Sequence, residues 1–174
     1  MGLERLDLLT EVLNLLTENQ KLVIDGSALT LFAREHLDLP FPENTVFTPH
    51  EMELERLSGL KIGQQTKEEV QDFVNQLGAI VVAKSSETRI FAPNRESFIL
   101  KIGSPAQATG GMGDTLAGMV GGFLAQFHGE TEEVVAAATY LHSLIASVLA
   151  QKTYVVLPSR LIEEIPLFMK KYEC

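Results

Sequence analysis

Leu6, Leu9, Leu13 and Leu16 recur every three or four positions. That spacing predicts an amphipathic helix over residues 3–18. The period then shortens: Lys21 to Asp25 reads as a short strand ending in an acid, Gly26-Ser27 as a turn, and Ala28 to His36 as a helix. Pro40 and Pro42 mark a loop, and Thr45-Val46-Phe47-Thr48 a second strand. Thr48 and Glu51 have capping-box spacing, with Pro49 suited to the first position of a helix running through Leu57. Thr66 with Glu69 opens another helix to about Leu77. Ala79 to Ala83 is a continuous apolar run rich in β-branched residues, the mark of a buried strand. After the polar connection Lys84 to Glu87 come two more strand-like runs, Thr88 to Ala92 and Ser97 to Ile102. The rest reads as helical: 115–127, then 131–151 with Thr131 as cap, then a last helix from Pro158-Ser159 with a charged outer face.

Strands alternating with helices predict an α/β fold, a mostly parallel sheet covered by helices, with strands 79–102 free to pair antiparallel. At 174 residues the chain is expected to form a single domain, 1–174. Ligands of such sheets bind beyond the carboxyl ends of the strands, which places Asp25, Thr48, Lys84 and the glycine-rich stretch before residue 115 on one rim. The net charge of −9 argues against unassisted binding to nucleic acid or an anionic membrane. Cys174 is the only cysteine, which excludes an internal disulfide framework and points to a reducing, cytoplasmic compartment. Glu4 and Asp7 among the first leucines do not fit a signal peptide. The apolar stretches near 115–127 and 134–150 are too short and interrupted to be expected as membrane spans.

The chemistry concentrates in Ala108-Thr109-Gly110-Gly111-Met112-Gly113-Asp114-Thr115. Glycines let a ligand approach the backbone closely, and the first N–H groups of a helix have no internal partner. Together they predict an anion site, with Asp114 in the first turn placed to take a proton from a hydroxyl. The competing reading is a tight turn with Asp114 as a cap. Neither a P-loop nor a dinucleotide fingerprint is present. His50 could donate a hydrogen bond into the rim or be a passenger of its helix, and Glu53 could reach the same space or be solvated. Lys84 could reach solvent or meet phosphate as a point charge, with Thr88 adding a hydroxyl. Asp25 reads first as a helix cap, then as a Mg²⁺-linked or structural acid. No His/Cys/Asp cluster has transition-metal spacing, and none is assigned.

Five segments resemble the carboxyl-terminal part of the NAD(P)H-hydrate dehydratases, ribokinase-like enzymes that repair hydrated nicotinamide cofactors. They are Val23 to Leu29; Thr48-Pro49-His50-Glu51-Met52-Glu53 with Arg56-Leu57; Val82-Ala83-Lys84 with Thr88; Ala108 to Asp114 with Leu116-Ala117-Gly118; and Tyr140-Leu141-His142. The resemblance implies a three-layer αβα sandwich that uses ADP or ATP, assisted by Mg²⁺. The hydroxyl of hydrated NADH or NADPH is phosphorylated, and phosphate then leaves. It implies Asp114 as substrate contact and base, and His50 as a contact to the hydrated cofactor. Lys84, Ser85, Ser86, Glu87 and Thr88 would form a nucleotide loop. Thr109, Gly110, Gly111, Met112 and Gly113 would hold the transferring phosphate and nucleotide, with Asp25 and Glu53 in support.

The chain departs from the family pattern at Ser27, Glu51-Met52, Ser85 and Met112. Family members also begin with about a hundred further residues that supply early strands. Those strands are expected to be missing here, leaving an exposed sheet edge that favours a homo-oligomer. Two other functions stay open: a ribokinase-like kinase of a small alcohol, and a nucleotide-binding fragment without catalysis.

Overall fold

The computed structural model describes residues 5–172. Cys174 and positions 3 and 4 of the expected first helix lie outside the described residues. The chain divides into two compact units, Met1–Ile99 and Leu100–Cys174.

The first unit is α/β. It contains α1 (Leu6–Leu15), β1 (Leu22–Ile24), α2 (Gly26–Arg34), β2 (Thr45–Phe47), α3 (Glu51–Ser58), α4 (Lys67–Leu77), β3 (Ile80–Ala83), β4 (Arg89–Phe91) and β5 (Phe98–Ile99). The five strands form one sheet in the order in which they occur in the chain. β1–β2 and β2–β3 are parallel, whereas β3–β4 and β4–β5 are antiparallel. The sheet is therefore mixed, its parallel part confined to β1–β3. The reason is connection length. Helices α2, α3 and α4 lie between the parallel strands and provide the crossovers, while the short turn after β3 leaves only a hairpin.

Register puts Ile24, Phe47, Val81 and Phe91 side by side. They join Leu9, Leu13, Leu29, Phe32, Leu54, Val70 and Val74 in one core. The Phe32 and Phe47 rings pack at 5.1 Å, tilted by 59°. Burying each such side chain is worth about 1.5–3 kcal/mol, so α1–α4 are held by their apolar faces on the sheet.

The second unit is helical: α5 (Met112–Gln126), α6 (Thr131–Leu149) and α7 (Pro158–Lys171). Met112, Met119, Leu141, Ile145, Ala146, Val156 and Leu161 form its core. By length and composition α6 could cross a membrane, yet nine of its residues, His142 among them, are buried in the fold. Two helix starts differ from expectation. α2 begins at Gly26, whose φ of +56° supplies the turn within the first helical residue. Thr131 is the first residue of α6, with Glu130 in the cap position.

Candidate active site

The carboxyl ends of β1, β2 and β3 bring Asp25, Thr48, His50 and Lys84 onto one rim of the first unit. Thr48 N–H donates to Ile24 O at 3.2 Å, and Lys84 N–H donates to Pro49 O at 2.8 Å. The second bond is part of a parallel bridge between His50 and Lys84. Asp25 occupies the cap position of α2 but makes no side-chain cap bond there. Its Oδ1 instead accepts from Lys84 Nζ at 2.9 Å. These side chains are 16% and 20% exposed respectively. Lys84 therefore neither reaches out to solvent nor stands as an isolated charge; it is tied across the rim.

The start of α3 corrects the expected capping box. Thr48 does not cap and Pro49 is not the first helical residue, because the Pro49 carbonyl is engaged by β3 and the chain stays extended to residue 50. The box is made two residues later. His50 Nδ1 accepts from Met52 N–H (3.2 Å) and Glu53 N–H (3.4 Å), while Glu53 Oε2 accepts from His50 N–H (2.8 Å). An Nδ1 that accepts must carry a lone pair, so the neutral ring holds its proton at Nε2. Nε2 lies 3.6 Å from Glu53 Oε2, and the His50 side chain is 52% exposed. The donor expected at His50 is thus Nε2–H, oriented by the buried Glu53. Thr48 is fully buried, and its hydroxyl finds no hydrogen-bond partner among the described residues.

The turn after β3 is bonded to itself. Ser85 Oγ donates to Glu87 O (2.9 Å) and accepts from Glu87 N–H (3.1 Å), and Thr88 Oγ1 donates to Ser85 O (3.3 Å). The Ser85 hydroxyl thus occupies the Glu87 amide and keeps the turn closed on itself. Ser85, Ser86 and Glu87 are exposed. Beside the turn, Pro49, Leu54, Val70, Phe91 and Arg89 help line a cavity of about 280 Å³.

In the second unit, Gly111 has φ +85° in the cap position of α5. A side chain there would be strained, so glycine is required. Helix starts at Met112 and Gly113 put Asp114 in the first turn, exposed. Thr109 N–H is used by Gln107 O, Met112 N–H by Thr109 O, and Thr115 N–H by Gly111 O. The amides of Gly110, Gly111, Gly113 and Asp114, and the Asp114 carboxylate, have no partner among the described residues. That is a row of donors at a positive helix end, next to one open carboxylate. The Thr109 hydroxyl faces the other way, donating to Val156 O at 3.2 Å. Val156 and Pro158 also lie against this loop; the sequence marks Pro158 as a helix start, but nothing in it places either residue beside the glycines. Among the described residues no group of three or more His, Cys, Asp or Glu side chains could hold a metal.

An α/β unit followed by a glycine loop that opens a helix onto an acid is the arrangement of ribokinase-like proteins. The fold matches a solved ribokinase-like superfamily protein of Enterococcus faecalis V583, with TM-score 0.92 and 49% identity over 95% of this chain and 57% of that one. It also matches the ADP/ATP-dependent NAD(P)H-hydrate dehydratase of Bacillus subtilis co-crystallised with ATP/Mg²⁺ and soaked with CoA. There the TM-score is 0.79 at 28% identity, over 91% of this chain and 59% of that one. A family model described as NAD(P)H-hydrate dehydratase matches residues 1–167, and the chain belongs to that family. It is 99% identical over 174 residues to the ADP-dependent (S)-NAD(P)H-hydrate dehydratase of Lactococcus lactis subsp. lactis (strain IL1403). The match covers all of this chain and 63% of that protein.

Proposed function

We propose that this chain takes part in nucleotide-dependent dehydration of hydrated NADH or NADPH, with ADP as phosphoryl donor. The observation that carries the reading is the loop at α5: four unengaged amides beside the unpartnered, exposed carboxylate of Asp114. The names of the relatives supply the substrate, and the 99% identity to an ADP-dependent one favours ADP over ATP. The family match runs across both units, which supports reading them as one functional domain.

In this mechanism the loop amides hold the terminal phosphate as charge builds on its oxygens. Asp114 takes the proton of the substrate hydroxyl, whose oxygen attacks the phosphorus and releases AMP. The new phosphate ester then leaves with the C–O bonding electrons, a proton is lost from the neighbouring ring carbon, and the ring double bond returns. His50 donates from Nε2 to the hydrated cofactor. Lys84 has three N–H donors and uses one on Asp25, so it can face phosphate while still paired. Among the described residues no cluster of three or more His, Cys, Asp or Glu side chains could cage Mg²⁺; the ion would be carried by the nucleotide phosphates and water.

The test is recovery of NADH absorbance from hydrated NADH with ADP or ATP and Mg²⁺. Asp114→Asn is expected to abolish turnover and leave ADP binding nearly intact; turnover that survives the substitution makes Asp114 a cap and removes the mechanism. Because the chain spans 63% of the Lactococcus relative, a second reading is a nucleotide-binding portion of the enzyme. ADP-induced stabilisation without turnover would select it.

A further inference from the structure

The loop amides can act together on a phosphate only while the loop keeps one shape. Its own bonds close its two ends, Met112 N–H on Thr109 O and Thr115 N–H and Oγ1 on Gly111 O, but Gly110, Gly111 and Gly113 donate no backbone bond among the described residues. Glycine pairs are also the most mobile backbone a chain can offer. Three contacts reach the loop and the turn before it from a single segment, Val156–Pro158. Val156 N–H donates to Ala106 O at 2.8 Å. Thr109 Oγ1 donates back to Val156 O at 3.2 Å. A Cβ on Gly111 would stand 3.3 Å from Pro158 Cγ, so the proline ring lies directly against the cap residue of α5. The segment is itself anchored. Val156 is 1% exposed within the second core, and Pro158 is the first residue of α7. On the near side, Ser104 Oγ accepts from Ala106 N–H at 3.2 Å and fixes the turn that carries Ala106.

We propose that Val156–Pro158 is a brace for the glycine loop, and that Thr109 and Pro158 are positioning residues for phosphate binding. Thr109 belongs to the loop by sequence, but its hydroxyl works inward on Val156 and not outward on the ligand. The brace links α7 to the cap of α5, so the loop's order depends on a segment more than forty residues downstream. The consequence for phosphate binding rests on the nucleotide reading above; the ordering of the loop does not.

The experiment measures ¹⁵N order parameters of Gly110, Gly111 and Gly113, together with ADP affinity, in the chain and three variants. Thr109→Val keeps the shape and removes the hydroxyl, Thr109→Ser keeps the hydroxyl, and Pro158→Ala removes the ring against Gly111. In the unmodified chain the glycines should show rigid-backbone values near 0.85. In Thr109→Val they should fall below about 0.6, and ADP should bind about fivefold more weakly, the effect of one neutral hydrogen bond. Thr109→Ser should restore both, which a general loss of packing would not allow. Order parameters unchanged in Thr109→Val overturn the brace. If Thr109→Val does not fold, Pro158→Ala decides: a fall at Gly111 supports the brace, and no change overturns it. If the unmodified chain fails to bind ADP while the glycines still loosen in Thr109→Val, the brace stands and the nucleotide reading falls.

Discussion

His50 uses its two ring nitrogens for different purposes. Nδ1 caps α3, and Nε2 stands 3.6 Å from Glu53 Oε2 on a side chain that is 52% exposed. The two roles can be separated, because asparagine is among the best capping residues and has no imidazole. His50→Asn is expected to keep thermal stability within about 0.5 kcal/mol, whereas His50→Ala should lose about 1 kcal/mol of it. Both should raise KM for the hydrated cofactor if Nε2 holds it; an unchanged KM in both would leave His50 as a cap alone. At this scale the sequence names residues that the fold brings to one rim, but not the bonds they make there. Thr48-Pro49-His50-Glu51-Met52-Glu53 contains two overlapping boxes, 48/51 and 50/53. Threonine is the commoner cap, so the pattern favours the first; the choice falls to the second because β3 engages the Pro49 carbonyl, a long-range bond that no local pattern reports. Asp25 misled for the same reason. It stands in a cap position, but its partner is 59 residues away.

At the level of elements, the Asp25–Lys84 pair joins the carboxyl ends of β1 and β3 over the intervening β2. Both side chains are mostly covered, so removing one leaves the other poorly solvated. Lys84→Met is expected to destabilise the chain by about 2 kcal/mol. Pairing it with Asp25→Asn should recover part of that loss. Urea unfolding of the four members of the cycle would measure the coupling, and strict additivity would show that the pair does not act as a unit. The order and type of the elements in the first unit were legible from apolar runs and capping signals together, although α2 starts earlier and α3 later than those signals placed them. The lengths were less so. The run 97–102 yields only Phe98–Ile99 as β5, because alternation alone does not say where a partner strand ends. The glycine loop was read correctly as the start of a helix, since Gly111 and the apolar run behind it are both local signals. Its brace was invisible, since Val156 and Pro158 meet it only through tertiary packing.

For the molecule as a whole, two sheet edges stand out. Among the described strands β1 pairs only with β2 and β5 only with β4, and Phe98 and Ile99 on β5 are 41% and 40% exposed. Such edges favour self-association. Sedimentation equilibrium is expected to return a mass above the 19.1 kDa of one chain; a single species of that mass at every concentration would remove the proposal. The sheet has one more property. Its spatial order is its chemical order, β1 to β5 without a crossover to a distant neighbour. During synthesis each of β2 to β5 therefore leaves the ribosome next to a partner already made, and among the described strands no pairing waits on a distant later strand. The loop-closure cost of assembly is met in small steps, so this half of the molecule is suited to fold progressively as it is translated.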